Sequence, residues 1–488
     1  MSSLTRRKSL KELLSQASHS DLKRTLTAKS LVALGVGAII GAGLFVRTAA
    51  ASAEAAGPSV TLSFIVAAIG CVFAGLCYAE FAAMIPIAGS AYTYAYTTMG
   101  EFVAWIIGWA LVLEYAFGAG TVAIAWSEYL NKLTGMAIPY QWCHSPMESS
   151  AAGVQGIINL PALLILFLLT VLLVKGTQES ATVNAVIVTI KVAIVLVFIA
   201  IGWHFVTATN HHPYFIPPSV PGHEGFFKHG WGGMLGGAGI VFFAFIGFDA
   251  VSTAAQEAKN PARDMPWGIL GSLAVCTVLY VLFGYVLTGV ANWTEFAKAG
   301  KEASVAYAVQ YHMPGYGWLA TAITVAILFG FSSVILVMLL GQSRVFYTMS
   351  SDGLLPRLFS DVHPRFRTPY KCNILLFFMV GAFAAFIPGD LLGDLTSIGT
   401  LFAFVLVSAG VWIMRHIQPD VHRPFKTPLV PLVPILGMVV CGLMIISLDH
   451  RTQTVAGLWM VIGLFIYFLY GRTHSKLNSP VYQSSAAD

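Results

Sequence analysis

Twelve long apolar runs dominate this chain, near residues 31–47, 58–84, 102–130, 157–174, 182–203, 231–254, 267–290, 317–347, 372–388, 395–414, 429–448 and 455–471. A run of about 20 such residues matches the ~30 Å hydrocarbon core of a bilayer. There, every backbone N–H and C=O must find a partner within the protein, which leaves helices or a closed barrel. The runs are too long for barrel strands and lack their ten-residue alternation. The expected class is therefore an all-α integral membrane protein with twelve transmembrane helices. Composition agrees: only 10% of the 488 residues are charged, against about 25% in a soluble domain. The weakest runs are 372–388, which is short, and 429–448, which opens with Pro431 and Pro434.

Orientation follows from the loops, because cytoplasmic loops concentrate Lys and Arg. With the N-terminus inside, 20 of the 27 Lys and Arg fall in inner segments and five in outer ones. Both termini are expected in the cytoplasm of a cell with this protein in its plasma or inner membrane. The division is a segment 1–30, five helices over 31–203, five over 231–414, two more over 429–471 and a tail 472–488. The start of the chain shows no cleavable signal pattern. The basic residues are scattered over short loops, which argues against nucleic acid as a partner. Six cysteines show no metal or redox spacing and read as small hydrophobes. The outer loop 204–229 holds His204, His211, His212, His223 and His229 at spacings unlike a zinc ligand set, and reads as a solvated loop.

Two runs contain unusual amounts of glycine. The first carries Gly35, Gly37, Gly41 and Gly43, around Ile39, Ile40 and Ala42. The sixth opens with Gly230, Gly232, Gly233, Gly236, Gly237 and Gly239, then runs from Phe242 to Asp249. Small residues at this spacing also let helices touch closely. Glycine interruptions at matching positions in two halves instead point to broken helices, whose freed backbone groups are tolerable only where they line a cavity and meet a ligand. A zwitterion suits such a site: its carboxylate takes N–H groups at one half-helix end, and its ammonium takes free carbonyls.

Ionisable residues deep in a span are expensive and are candidates for function. Glu114 lies mid-span in the third helix and Lys191 in the fifth; Asp249 and Glu80 sit nearer the inner face. A lysine placed like Lys191 can load and unload a proton as a cavity opens to either side, or stay charged and tethered to carbonyls or to a carboxylate. Glu114 suits either contact with a cationic group or hydrogen bonding between helices. Asp249 and Glu80 are placed for pairing with inner-loop bases or for gating. No HExxH, GxSxG or P-loop is present, so an enzyme is not expected.

At these residues the chain resembles the amino acid–polyamine–organocation superfamily, within it the cationic amino acid transporter family and its bacterial relatives. The resemblance rests on Gly35 to Phe45, Leu113-Glu114-Tyr115, Phe245 to Asp249, Glu257 to Pro261, Arg344 to Met349 and Asp352 to Leu355. It implies a leucine-transporter fold, a five-plus-five inverted repeat with two further helices. It places carboxylate binding on the backbone of Gly41, Ala42 and Gly43, ammonium binding on the carbonyls of Ile39 and Ile246, and an aromatic lid on Phe243. Lys191 matches a helix-five lysine of proton-coupled members, which implies protons as coupling ion and no other cofactor. Ala42, Ala116, Ala119, Ala244, Phe331 and Ser332 would line the pocket.

The function implied is proton-coupled import of cationic amino acids by alternating access. Small neutral substrates, exchange, and a non-transporting sensor are the alternatives. Partners are the amino acid and lipid; a small membrane subunit or a second copy leaves no mark in the sequence.

Overall fold

The computed structural model describes residues 6–8, 26–85, 90–150, 152–176, 181–255, 258–296, 304–366 and 368–478. Most of 1–30, Glu257 and the tail beyond 478 lie outside the described residues. Among those described, helices form throughout, and extended pairing is confined to two isolated bridges, Leu26 with Ala258 and Ser149 with Gln155.

All twelve apolar runs are helical. The first span is Ala28–Ile39 followed, after a break, by helical turns over 43–56. Gly57, at φ +59°, turns the chain into the second span, Val60–Met84. The third is Glu101–Leu133. Leu160–Lys175 and Ala181–Gly202 complete the first five. The sixth begins as Gly230–Val241 and breaks; the seventh is Pro261–Val290 and the eighth Gly317–Ser351. The last four are Tyr370–Phe386, Gly389–Ile417, Leu432–Ser447 and His450–Ile466.

Boundaries differ from the hydropathy reading where polar residues sit on a helix end. The tenth span starts at Gly389, not 395, and carries Asp390 and Asp394 in its opening turns, where a carboxylate meets the positive end of the helix. Proline costs the eleventh span nothing, since Pro431 precedes it and Pro434 lies in its first turn, where the missing N–H has no helical partner anyway. A buried helix, Ser90–Thr98, fills the connection between the second and third spans.

Small residues set the closest packing. A side chain at Gly35 would meet Ser272 at 2.5 Å, and one at Gly268 would meet Leu31 at 2.7 Å, so glycine lets the first and seventh spans pack closely. The twelfth span docks on the third through tryptophans. Trp105 Nε1 donates to Gly463 O at 2.9 Å and Trp109 Nε1 to Trp459 O at 2.8 Å, with the Trp109 and Trp459 rings stacked at 4.8 Å. The result is a rigid packed frame around the two interrupted spans.

Candidate functional site

The first span stops at Ile39, Ile40 turns extended (φ −72°, ψ 105°), and helix resumes at Gly43. In the sixth, a tight turn over Phe242–Phe245 leads to extended Ile246 (φ −60°, ψ 135°) and Gly247 at φ +113°, before helix resumes at Ala250. The two breaks cross. A Cβ at Gly43 would fall 2.2 Å from the Cα of Ala244, and one at Gly247 would fall 2.9 Å from the carbonyl of Ala38. Only hydrogen fits at either position. The sequence thus places both interruptions, and the fold brings them together.

A residue outside the predicted set holds the crossing. Tyr280, fully buried in the seventh span, points its hydroxyl at Ile39 O (3.0 Å) and Ala244 O (2.9 Å). It reaches one freed carbonyl from each broken span. Little in the sequence signals it: Tyr280 is one of two tyrosines, with Tyr285, in an otherwise apolar run.

Gly41, Ala42 and Gly43 open the second half of the first span, and the leading N–H groups of a helix have no carbonyl ahead of them. Ile39 ends the first half of the first span, and Ile246 is the extended residue that ends the tight turn of the sixth. Phe243 and Ala244 lie on the tight turn of the sixth span, both buried. Ala119 is buried one turn beyond Tyr115. Ser332 donates its hydroxyl to Leu328 O at 2.9 Å in its own helix. Phe331 is fully buried, its ring 6.4 Å from Phe45 and 5.7 Å from Tyr129, so the eighth span sets a large aromatic against the second half of the first.

Lys191 is 2% exposed and donates from Nζ to Gly37 O at 2.9 Å, just before the first break. Gly330 makes the space: a Cβ there would sit 2.9 Å from Lys191 Cε. The lysine therefore bridges the fifth span to the first and lies along the eighth.

Glu114 occupies a widened turn, Leu113–Phe117, in the third span. Such turns frequently occur at functional sites. It faces Asp249 and Thr400, yet neither of its carboxylate oxygens makes a well-formed hydrogen bond. Tyr115 donates its hydroxyl to Asp249 Oδ2 at 2.7 Å. Asp249, placed by the sequence for inner-loop bases or for gating, faces Tyr115 and Glu114, two residues after Gly247 turns the chain. Glu80 does meet bases: Arg415 donates at 2.7 Å, Arg423 Nε lies 3.3 Å away, and the Thr427 N–H donates at 2.7 Å.

At the opposite end Arg47 pairs with Asp394, both buried, closing the second half of the first span against the tenth. The histidines of the loop 204–229 serve as pins: those at 204, 211, 223 and 229 each set a ring nitrogen against a backbone carbonyl. Among the described residues no group of three or more His, Cys, Asp or Glu could hold a metal ion.

The chain as a whole is similar to known transporters. The chain is 44% identical over 483 residues to a branched-chain amino acid permease, BcaP, of Bacillus subtilis, covering 98% of this chain and 99% of that one. It is 40% identical to a methylthioribose transporter of the same species, over 98% and 100% of the two chains. Against the vacuolar cationic amino acid transporter 4 of Arabidopsis thaliana the identity is 34%, over 86% of this chain and 68% of that one. The profile of the amino acid permease family matches residues 26–470. The chain is a multi-spanning membrane transporter, not an enzyme, and belongs to the amino acid permease family.

Proposed function

We propose that this protein imports a neutral, apolar α-amino acid together with a proton, by alternating access around the crossed breaks, with both termini cytoplasmic. The α-carboxylate is held by the N–H groups of Gly41, Ala42 and Gly43, and the α-ammonium by the Ile39 and Ile246 carbonyls. Each is a charge-assisted bond to backbone that lacks a helical partner. Ile39 O keeps a lone pair for the ammonium while it accepts from Tyr280, since a carbonyl has two.

The observation that carries the neutral side chain is Phe331. Its ring, wedged between Phe45 and Tyr129, takes volume that a long cationic side chain would need. The same choice accords with the name of the Bacillus subtilis permease. Lys191 carries the proton: its bond to Gly37 O couples its charge state to the first span, the element whose halves must part. The Lys191 ammonium takes the place that a sodium ion would otherwise need.

A second reading, import of arginine, lysine or ornithine, is favoured by a different observation. Glu114 and Asp249 present three carboxylate oxygens without hydrogen-bond partners, acceptors that a guanidinium or ammonium could fill. A thermal-shift panel of the twenty amino acids on the purified protein separates the two, since a ligand of the folded state raises its melting point. Leucine, valine, isoleucine or alanine should raise it. A shift by arginine and lysine alone would overturn the neutral assignment.

A further inference from the structure

A cavity of about 310 Å³ opens at the basic end between the first and seventh spans, lined by Ala28, Lys29, Val32, Arg263 and Trp267. The backbone brings its walls together. Leu26 and Ala258 pair as a parallel bridge and Lys259 N–H donates to Leu26 O at 2.8 Å, so the two helices start side by side. One turn deeper, Gly271 lets Val32 approach and closes the notch's floor.

The two walls repeat one pattern. Lys29 and Arg263 sit at the polar rim, and Val32 and Trp267 lie one turn further into the span on the same faces. Trp267 is 64% exposed, and an exposed tryptophan beside cations at a span's end is an interfacial anchor. Lys29 and Arg263 are both exposed, and neither side chain has an ion pair or hydrogen bond among the described residues. The nearest acid on these helices, Asp264, is buried and accepts from Asn260 N at 3.1 Å. Among the described residues the notch thus offers two positive side chains without an acidic partner, above an apolar floor.

We propose that this notch binds an anionic phospholipid, its phosphate between Lys29 and Arg263 and an acyl chain along Val32 and Trp267. The proposal shares with the functional reading only the placing of the basic end in the cytoplasmic leaflet, the leaflet rich in anionic lipid. A bound headgroup would clip the first span's inner half to the seventh, the pairing that must loosen if the inner half moves. Two cations near a phosphate should give roughly thirtyfold preference over a zwitterionic lipid.

Native mass spectrometry of the purified full-length protein tests this, with phosphatidylglycerol and phosphatidylcholine of the same acyl chains. Wild type should retain phosphatidylglycerol about thirtyfold better. The double variant Lys29→Gln/Arg263→Gln should lose most of that preference, while Arg357→Gln/Arg365→Gln at the same end keeps it. Equal loss in both pairs, no loss in the first, or displacement of the lipid by millimolar inorganic phosphate would overturn the proposal. Should the double variant fail to fold, quenching by acyl-brominated phosphatidylglycerol decides: it should be greater in wild type than in Trp267→Phe, and equal quenching would count against the site. Neither readout needs transport, so failure here leaves the functional reading intact.

Discussion

Tyr280→Phe is the substitution that isolates the crossing of the two broken spans. The ring stays, and with it the contacts to Phe64 at 5.4 Å and Phe245 at 5.3 Å, so no cavity term enters. What goes is one donor aimed at Ile39 O and Ala244 O. Leaving a buried acceptor without its donor costs about 1–3 kcal/mol. Interhelical hydrogen bonds measured in a bilayer average only ~0.6 kcal/mol, because the unfolded chain finds other partners there. Ile39 and Ala244 lie at the end of a helix and in a tight turn, so their carbonyls have fewer such partners, which places the cost near 1–2 kcal/mol. If the crossing forms the substrate site, affinity should fall roughly 5- to 30-fold, with a lower melting temperature. Calorimetric titration of the ligand found in the amino acid panel measures this, with Tyr285→Phe on the same helix as control. Affinity within twofold of wild type and an unchanged melting point would refute the reasoning.

Glu80→Ala strips the carboxylate from Arg415, Arg423 and the Thr427 N–H; breaking a buried ion pair from one side costs about 3–5 kcal/mol, and thermal denaturation in detergent should show it, with no loss counting against a structural role. His144 lies 2.8 Å from Glu128; burial disfavours its charge, but the hydrogen bond and charge of Glu128 outweigh burial and hold it above the ordinary imidazole range. Its stabilisation is therefore complete below about pH 6.5 and disappears as pH rises through the folded value, so the melting-point gap between wild type and His144→Gln should narrow from pH 6 to pH 9; a gap that widens would contradict this. Putrescine lacks the carboxylate that Gly41, Ala42 and Gly43 are assigned to bind and should compete poorly in uptake; competition as strong as the best amino acid would remove that assignment.

The fold was legible because hydrocarbon permits so few structures: each apolar run had to be a helix, and proline or charge at its ends shifted boundaries by a turn or two. The breaks were legible for the same reason in reverse. Gly41, Gly43 and Gly247 stand where a span can least tolerate them. Partnerships between distant segments were not. Nothing local to Asp249 shows that Gly247 swings it toward Tyr115 and Glu114, and nothing near Arg47 names Asp394 as its partner. Tyr280 looked like one more aromatic in the seventh span until the crossing put two carbonyls beside it. Phe331 was visible as a wall residue, but its packing on Phe45 and Tyr129 depends on how three helices meet.

Uptake into proteoliposomes, with the proton and sodium gradients imposed separately, bears most directly on the central claim. Wild type should accumulate a neutral α-amino acid when the outside is acidic and ignore sodium. Lys191→Met should bind the amino acid yet fail to accumulate it under the same gradient. Sodium-driven uptake indifferent to pH, or full proton-driven accumulation by Lys191→Met, would contradict the account.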